Sequence, residues 1–202
     1  MENQEQLNVT DETADTKGLK FRVDHVESGL PRWLIEAAFV CYLLQAASDW
    51  TPLLHWMEAN APLALAFIQT FGALVMYVGL MRGMRQLYRP MTVAWWIVIA
   101  LNIAGVLPYI APNLLYTIGL PLAVSLMLIY LPLGMAIAIC YHGRLRWVGV
   151  CMALYILISS ILPVLTFLLF GPESGLANLP LEIPTIGIIA LYGWVMRRVL
   201  VK

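Results

Sequence analysis

The stretch Leu120–Arg146, LPLAVSLMLIYLPLGMAIAICYHGRLR, decides how this chain is read. From Leu120 to Tyr141 it holds no charged side chain, and it stops at a basic patch, Arg144 and Arg146. A bilayer core of about 30 Å is crossed by about 20 apolar residues rising about 1.5 Å each, so the run is long enough to span. Pro121 at its second position and Pro132 three turns later suit that reading, because Pro and Gly are more frequent in membrane helices than in soluble ones.

Several other runs have the same character. The chain has 202 residues, 61% hydrophobic and 12% charged, with a mean hydropathy of +0.79. Soluble domains are about 45–50% apolar and about 25% charged. A soluble core in so short a chain cannot bury this much apolar side chain, so membrane lipids are the expected partner of the rest. The formal net charge is zero, so no basic surface argues for a nucleic-acid partner, and none is expected.

Working outward from Leu120, the pattern predicts an all-α, polytopic transmembrane bundle of six helices: about 31–48, 61–81, 91–110, 120–141, 147–170 and 181–195. The last is the shortest, with Glu182 and Pro184 at its start. Residues 49–60 and 111–119 read as loops on one side. Residues 1–30 read as a cytosolic tail, largely disordered, polar and acidic to residue 17 and then a linker that touches the headgroups. Asn8-Val9-Thr10 is a glycosylation sequon that is silent in the cytosol. These first 30 residues lack the apolar core of a signal peptide, so the first helix is expected to direct insertion. Residues 31–202 form the membrane domain.

This arrangement puts all twelve basic residues on one side: Lys17, Lys20, Arg22, Arg32, Arg82, Arg85, Arg89, Arg144, Arg146, Arg197, Arg198 and Lys202. The other side carries Asp49, Glu58, Glu173 and Glu182 instead. Lys and Arg in short loops mark the cytosolic side, so both termini are expected in the cytosol and the chain in a bacterial inner membrane. Trp33, Tyr88, Trp147 and Trp194 then mark the inner interface, and Trp50, Trp56, Tyr109 and Tyr116 the outer one. Pro62-Leu63-Ala64, Pro121-Leu122-Ala123 and Pro180-Leu181 recur at even spacing, each expected to open a descending helix, so a threefold repeat of helical hairpins is one reading.

Few groups inside the membrane offer chemistry. Glu36 is the one acid well within a helix, and intramembrane acids are functional candidates because burying their charge is costly. It also lies four residues after Arg32, on the same helix face, so a structural ion pair is the competing reading. Gln69, Asn102, Ser125, Ser159 and Ser160 form a candidate polar layer at mid-depth. They line a path for a polar solute, or they are hydrogen bonds between helices. Pro108, Pro121, Pro132 and Pro163, with Gly105, Gly119 and Gly134, break helices around that layer, as in many transporters. Gly79 and Gly83 form a G-x-x-x-G, a close-packing motif that suits a dimer face.

No metal, cofactor or catalytic site is expected. His25, His55 and His142 lie apart in sequence, while a metal site needs three or four converging ligands. Cys41, Cys140 and Cys151 have no metal or disulfide spacing and read as small apolar residues. Nucleotide, hydrolase and zinc-protease fingerprints are missing, and the loop trio Asp49, His55 and Glu58 is the nearest approach to an acid–base group.

Trp33-Leu34 just inside the first helix, then Arg85, Arg89-Pro90, Trp96 and Asn102, then Tyr192 and Arg197-Arg198-Val199 near the end, resemble a family of small bacterial inner-membrane proteins of unknown function. That family has a Gly-Trp-Leu helix start, a basic loop before a Pro-led helix and a basic C-terminal end. The likeness spans about half the chain. Arg32 stands where the family has Gly, the spacing to Asn102 differs, and six helices exceed the usual four. The resemblance implies a location and no activity.

Two functions are compatible with these features. One is a non-enzymatic accessory, assembly or immunity-type subunit that works through a membrane protein partner or a homo-oligomer. The other is a small transporter or channel for a polar solute that uses the mid-membrane polar layer.

Overall fold

The computed structural model describes residues 21–48, 50–85, 87, 89–107, 111, 113–161 and 179–201. They are mostly helical, which meets the all-α expectation: α1 Arg32–Ser48, α2 Thr51–Asn60, α3 Pro62–Arg85, α4 Arg89–Ala104, α5 Asn113–Cys140, α6 Arg144–Ile156 and α7 Leu179–Leu200. A π-helical turn, Leu157–Ile161, continues α6. Two short strands, β1 Phe21–Arg22 and β2 Tyr141–His142, pair in parallel with Phe21 opposite Tyr141.

Six of the helices close into a ring. α1 packs on α3, α3 on α4, α4 on α5, α5 on α6, α6 on α7, and α7 back on α1. Consecutive helices joined by short connections run antiparallel. α3 and, within α7, Ile183–Leu200 are long and apolar enough to cross a membrane, while Met91–Ala104 and Val124–Cys140 are shorter apolar helices.

The boundaries differ from expectation in informative ways. The loop expected at 49–60 contains α2, whose first turn holds Pro52, a residue with φ already set for a helix start. The segment expected to be loose at 111–119 is helical from Asn113, so Pro121 lies inside α5 and does not open it. Pro62 and Pro180 do open helices, so the even proline spacing does not map onto three equivalent hairpins. The last helix is not the shortest: it runs 22 residues with Pro184 inside its first turns. The later part of the fifth expected helix lies outside the described residues.

Close helix contact depends on small side chains. A Cβ on Gly134 of α5 would sit 2.9 Å from the Gly149 carbonyl oxygen of α6, so these two helices meet backbone to backbone. On the interior side, Trp95 is fully buried and its indole N–H donates to the Met84 sulfur at 3.3 Å. On the exterior, every helix of the ring exposes large apolar side chains, among them Leu43, Phe67, Trp96, Leu128, Leu154 and Leu191.

The arginine-rich end of the ring is closed by residues 21–30. This strap is held by backbone bonds from Val23 N–H to the His142 carbonyl, from Leu145 N–H to the Val23 carbonyl and from Val26 N–H to the Val199 carbonyl. Gly143 makes the turn between β2 and α6 possible, because its φ of +80° suits glycine, and the Asp24 carboxylate accepts the following N–H, that of Arg144, at 3.1 Å. The expected linker is therefore a docked segment with Val26 buried. The sequence hid this because its anchors lie more than a hundred residues away.

Candidate functional site

Inside the ring lies a cavity of about 160 Å³, walled by residues from α1, α3, α4, α5, α6 with its π turn, and α7. Five of the chain's nine tyrosines line it: Tyr42, Tyr77, Tyr130, Tyr155 and Tyr192. Each sits eight to eleven residues from the end of its helix nearest the arginines. A constant rise per residue therefore sets them in one layer, roughly 12–16 Å deep. Antiparallel packing is what brings that layer together.

The rings brace one another. Tyr42 meets Tyr192 edge to face at 6.1 Å, and Tyr77 meets Tyr130 the same way at 6.0 Å, the geometry favoured by the aromatic quadrupole. Their polar tips form a partial network. The Tyr42 and Tyr77 hydroxyls share a hydrogen bond of 3.0 Å. The Asn102 side-chain amide donates to the Tyr130 hydroxyl at 2.9 Å and to the Val98 carbonyl at 2.8 Å. The Ser159 hydroxyl donates to the Tyr155 carbonyl at 2.6 Å.

Two buried oxygens in this wall remain unsatisfied among the described residues: the Tyr192 hydroxyl and the Gln45 side-chain carbonyl. The Tyr77 and Tyr192 rings lie side by side, their centroids 6.4 Å apart. A buried polar group without a partner costs about 1–3 kcal/mol. At about 30 Å³ per water the space holds roughly five waters or one small molecule. Among the described residues none that lines it is Asp, Glu, Lys, Arg or His, so a charged guest would meet no counter-charge from them.

Of the expected polar layer, Gln69, Asn102 and Ser159 line this one cavity. Ser125 is half-buried on α5 and does not line it, and the Ser160 side chain lies outside the described residues. Ser159 stands on the π-helical turn, a feature frequent at functional sites. The tyrosines and Gln45 were missed. The available signal was depth, since tyrosines of a membrane chain belong at helix ends and these five do not sit there.

The other candidates find different partners. Glu36 is paired, but principally across helices: Arg197 donates from Nε at 2.6 Å and from Nη2 at 2.8 Å, while Arg32 stands off at 3.8 Å. Gly79 and Gly83 pack closely as expected, yet within the chain. A Cβ on Gly83 would come 2.6 Å from the Val26 Cβ, and one on Gly79 would meet Leu200 and Leu30. The strap and the end of α7 cover this motif, so it presents no open dimer face. His55 and Glu58 approach to 3.5 Å on exposed α2, and Asp49 lies outside the described residues. Among the described residues no three His, Cys, Asp or Glu side chains converge on a metal position.

Comparison with protein families, curated proteins and solved structures finds no match for this chain.

Proposed function

We propose that this chain is a six-helix membrane protein, with both termini cytosolic, that binds and passes a small neutral polar solute through its tyrosine-lined cavity. The observation that carries the reading is a mid-depth cavity whose lining includes Tyr192 and Gln45, each with a buried oxygen that lacks a hydrogen-bond partner among the described residues. A layer serving only as helix-to-helix glue would satisfy its members against each other. Hydroxyls, amides and aromatic faces suit a guest that offers both donors and acceptors and no net charge.

The apolar outer surface on every helix of the ring supports the membrane setting, since lipid contact has no need of an amphipathic pattern. The gathering of arginines at one end supports the cytosolic assignment of that end. The π-helical turn beside Ser159 supports local rearrangement during passage. The competing reading, an accessory or immunity-type subunit, drew on Gly79 and Gly83 as an available face. These glycines are covered from within the chain, so the cavity reading is preferred. Among the described residues the lining is neutral, which suits the binding of an uncharged guest.

The test is stopped-flow permeation of glycerol, urea and formamide into liposomes containing the purified protein. At least one solute is expected to enter faster than into protein-free liposomes. Filling the cavity through Ser159→Leu, at equal incorporation, is expected to remove the gain. Rates equal to those of protein-free liposomes for all three solutes would sink the proposal.

A further inference from the structure

A second cavity, of about 250 Å³, opens at the arginine-rich end and is lined by His25, Arg32, Arg144, Arg197, Arg198 and Val201. Its basic side chains come from four separate parts of the chain: the strap, α1, the start of α6 and the end of α7. Holding four guanidiniums around one space is unfavourable unless something negative lies between them. Among the described residues, Glu36 is the carboxylate paired with this set, with its two-pronged bond to Arg197 and its looser approach to Arg32. Asp24 is nearby, but it is engaged by Arg22 at 3.2 Å and by the Arg144 backbone N–H. One carboxylate against four guanidiniums leaves the cavity with about three uncompensated positive charges.

Three of the four guanidiniums are also held in place by neighbours. Arg198 lies over the Trp194 ring at 5.0 Å and Arg197 over Phe39 at 5.3 Å. Arg144 Nη1 stands 3.1 Å from His25 Nε2. Since arginine only donates, the imidazole accepts through Nε2. Planar guanidinium forks match the oxygens of a phosphate two at a time. The volume falls below that of a drug-sized pocket and suits a phosphate with a small substituent.

We infer that this cavity binds a phosphate group, carried either by the headgroup of an anionic phospholipid or by a free phosphate compound. The lipid source rests on the membrane reading above; the phosphate chemistry does not, and neither depends on solute passage through the tyrosine cavity. Exposed Trp33, Trp147 and Trp194 surround the same end, at the depth where such rings meet headgroups.

The test uses the full chain in nanodiscs. In one arm the discs are phosphatidylcholine with one-fifth phosphatidylglycerol, and native mass spectrometry reads which lipid stays with the released protein. In the other the discs are phosphatidylcholine alone, and tryptophan fluorescence follows a titration with inorganic phosphate. Retained phosphatidylglycerol identifies the lipid source and a saturable phosphate response the soluble one; either supports the site. The double variant Arg32→Gln/Arg198→Gln, at two exposed positions, is expected to weaken the positive arm about tenfold or more. Arg146→Gln, at the same end but outside the cavity, is expected to change it less than twofold. The pair Arg32→Lys/Arg198→Lys, which keeps charge and loses the forks, separates phosphate recognition from general attraction and is expected to fall between. Absence of both signals in the wild type, or equal losses in the double variant and Arg146→Gln, would overturn the inference.

Discussion

The Glu36 carboxylate takes two hydrogen bonds from the Arg197 guanidinium, of 2.6 and 2.8 Å, and so ties the first helix of the ring to the last. Each side chain is about one-third exposed or less. The contact closes the ring where no short loop does so.

It follows that Glu36→Gln and Arg197→Gln each lower thermal stability in detergent, while Arg32→Gln has little effect. A double-mutant cycle between Glu36 and Arg197 is expected to give a coupling of about 1 kcal/mol, in the range of partly exposed bidentate pairs. A coupling indistinguishable from zero would mean that the pair is only a surface contact.

The Val26–Gly83 contact gives a second prediction. Gly83→Ala puts a methyl 2.6 Å from the Val26 Cβ, too close for either to stay in position. Overpacking of this kind costs about 1–3 kcal/mol, and the strap is the part free to leave. Tryptic cleavage after Arg22 is expected to accelerate in Gly83→Ala, and Gly83→Ala is expected to add nothing further in a Val26→Gly background, where no Cβ stands in its way.

Tyr192 and Tyr130 should respond in opposite ways to loss of the hydroxyl. Tyr192→Phe removes an unsatisfied oxygen and is expected to leave stability unchanged or slightly raised. Tyr130→Phe removes the acceptor of the Asn102 amide and is expected to cost about 1 kcal/mol. Thermal unfolding of the two variants side by side measures the difference. If the cavity is the solute path, Tyr192→Phe also slows permeation despite its intact stability.

Asp24 makes strap docking dependent on pH. Slight burial pushes its pKa up, but the Arg144 backbone N–H, the Arg22 hydrogen bond and the charges of both arginines outweigh it, so the carboxyl titrates below its ordinary value of 3.8. A carboxyl whose pKa is depressed on docking contributes stability above the undocked pKa and loses it as pH falls through the docked one. Hydrogen exchange of residues 21–26, normalised to intrinsic rates, is expected to show full protection at pH 6 and reduced protection at pH 3. Asp24→Asn should flatten that difference.

Much of the architecture was legible in the chain itself. Long apolar runs punctuated by arginines predict the helices, because helical periodicity, apolar content and charge placement are local properties. Thus Gln69, Asn102 and Ser159 were identifiable as one polar layer from their distances to helix ends. The tyrosine wall was not, because aromatic residues are judged by a rule about helix termini, and only assembly of the ring shows five of them at one depth. Residues 51–60 look like a loop in the sequence because their apolar content is interrupted by His55, Glu58 and Asn60, although the proline start and local bonds suffice for ten helical residues.

The sequence alone determined the helical class, most of the helix positions and the segregation of basic residues, since each depends on neighbours within a few turns. Only the tertiary structure decided that Glu36 belongs to Arg197 and that Gly83 seats Val26. It also decided that two residues with unpartnered buried oxygens line one interior cavity and that four arginines from distant segments surround one space. These are relations across the ring, and no local pattern encodes which side chain a helix will meet on the far side.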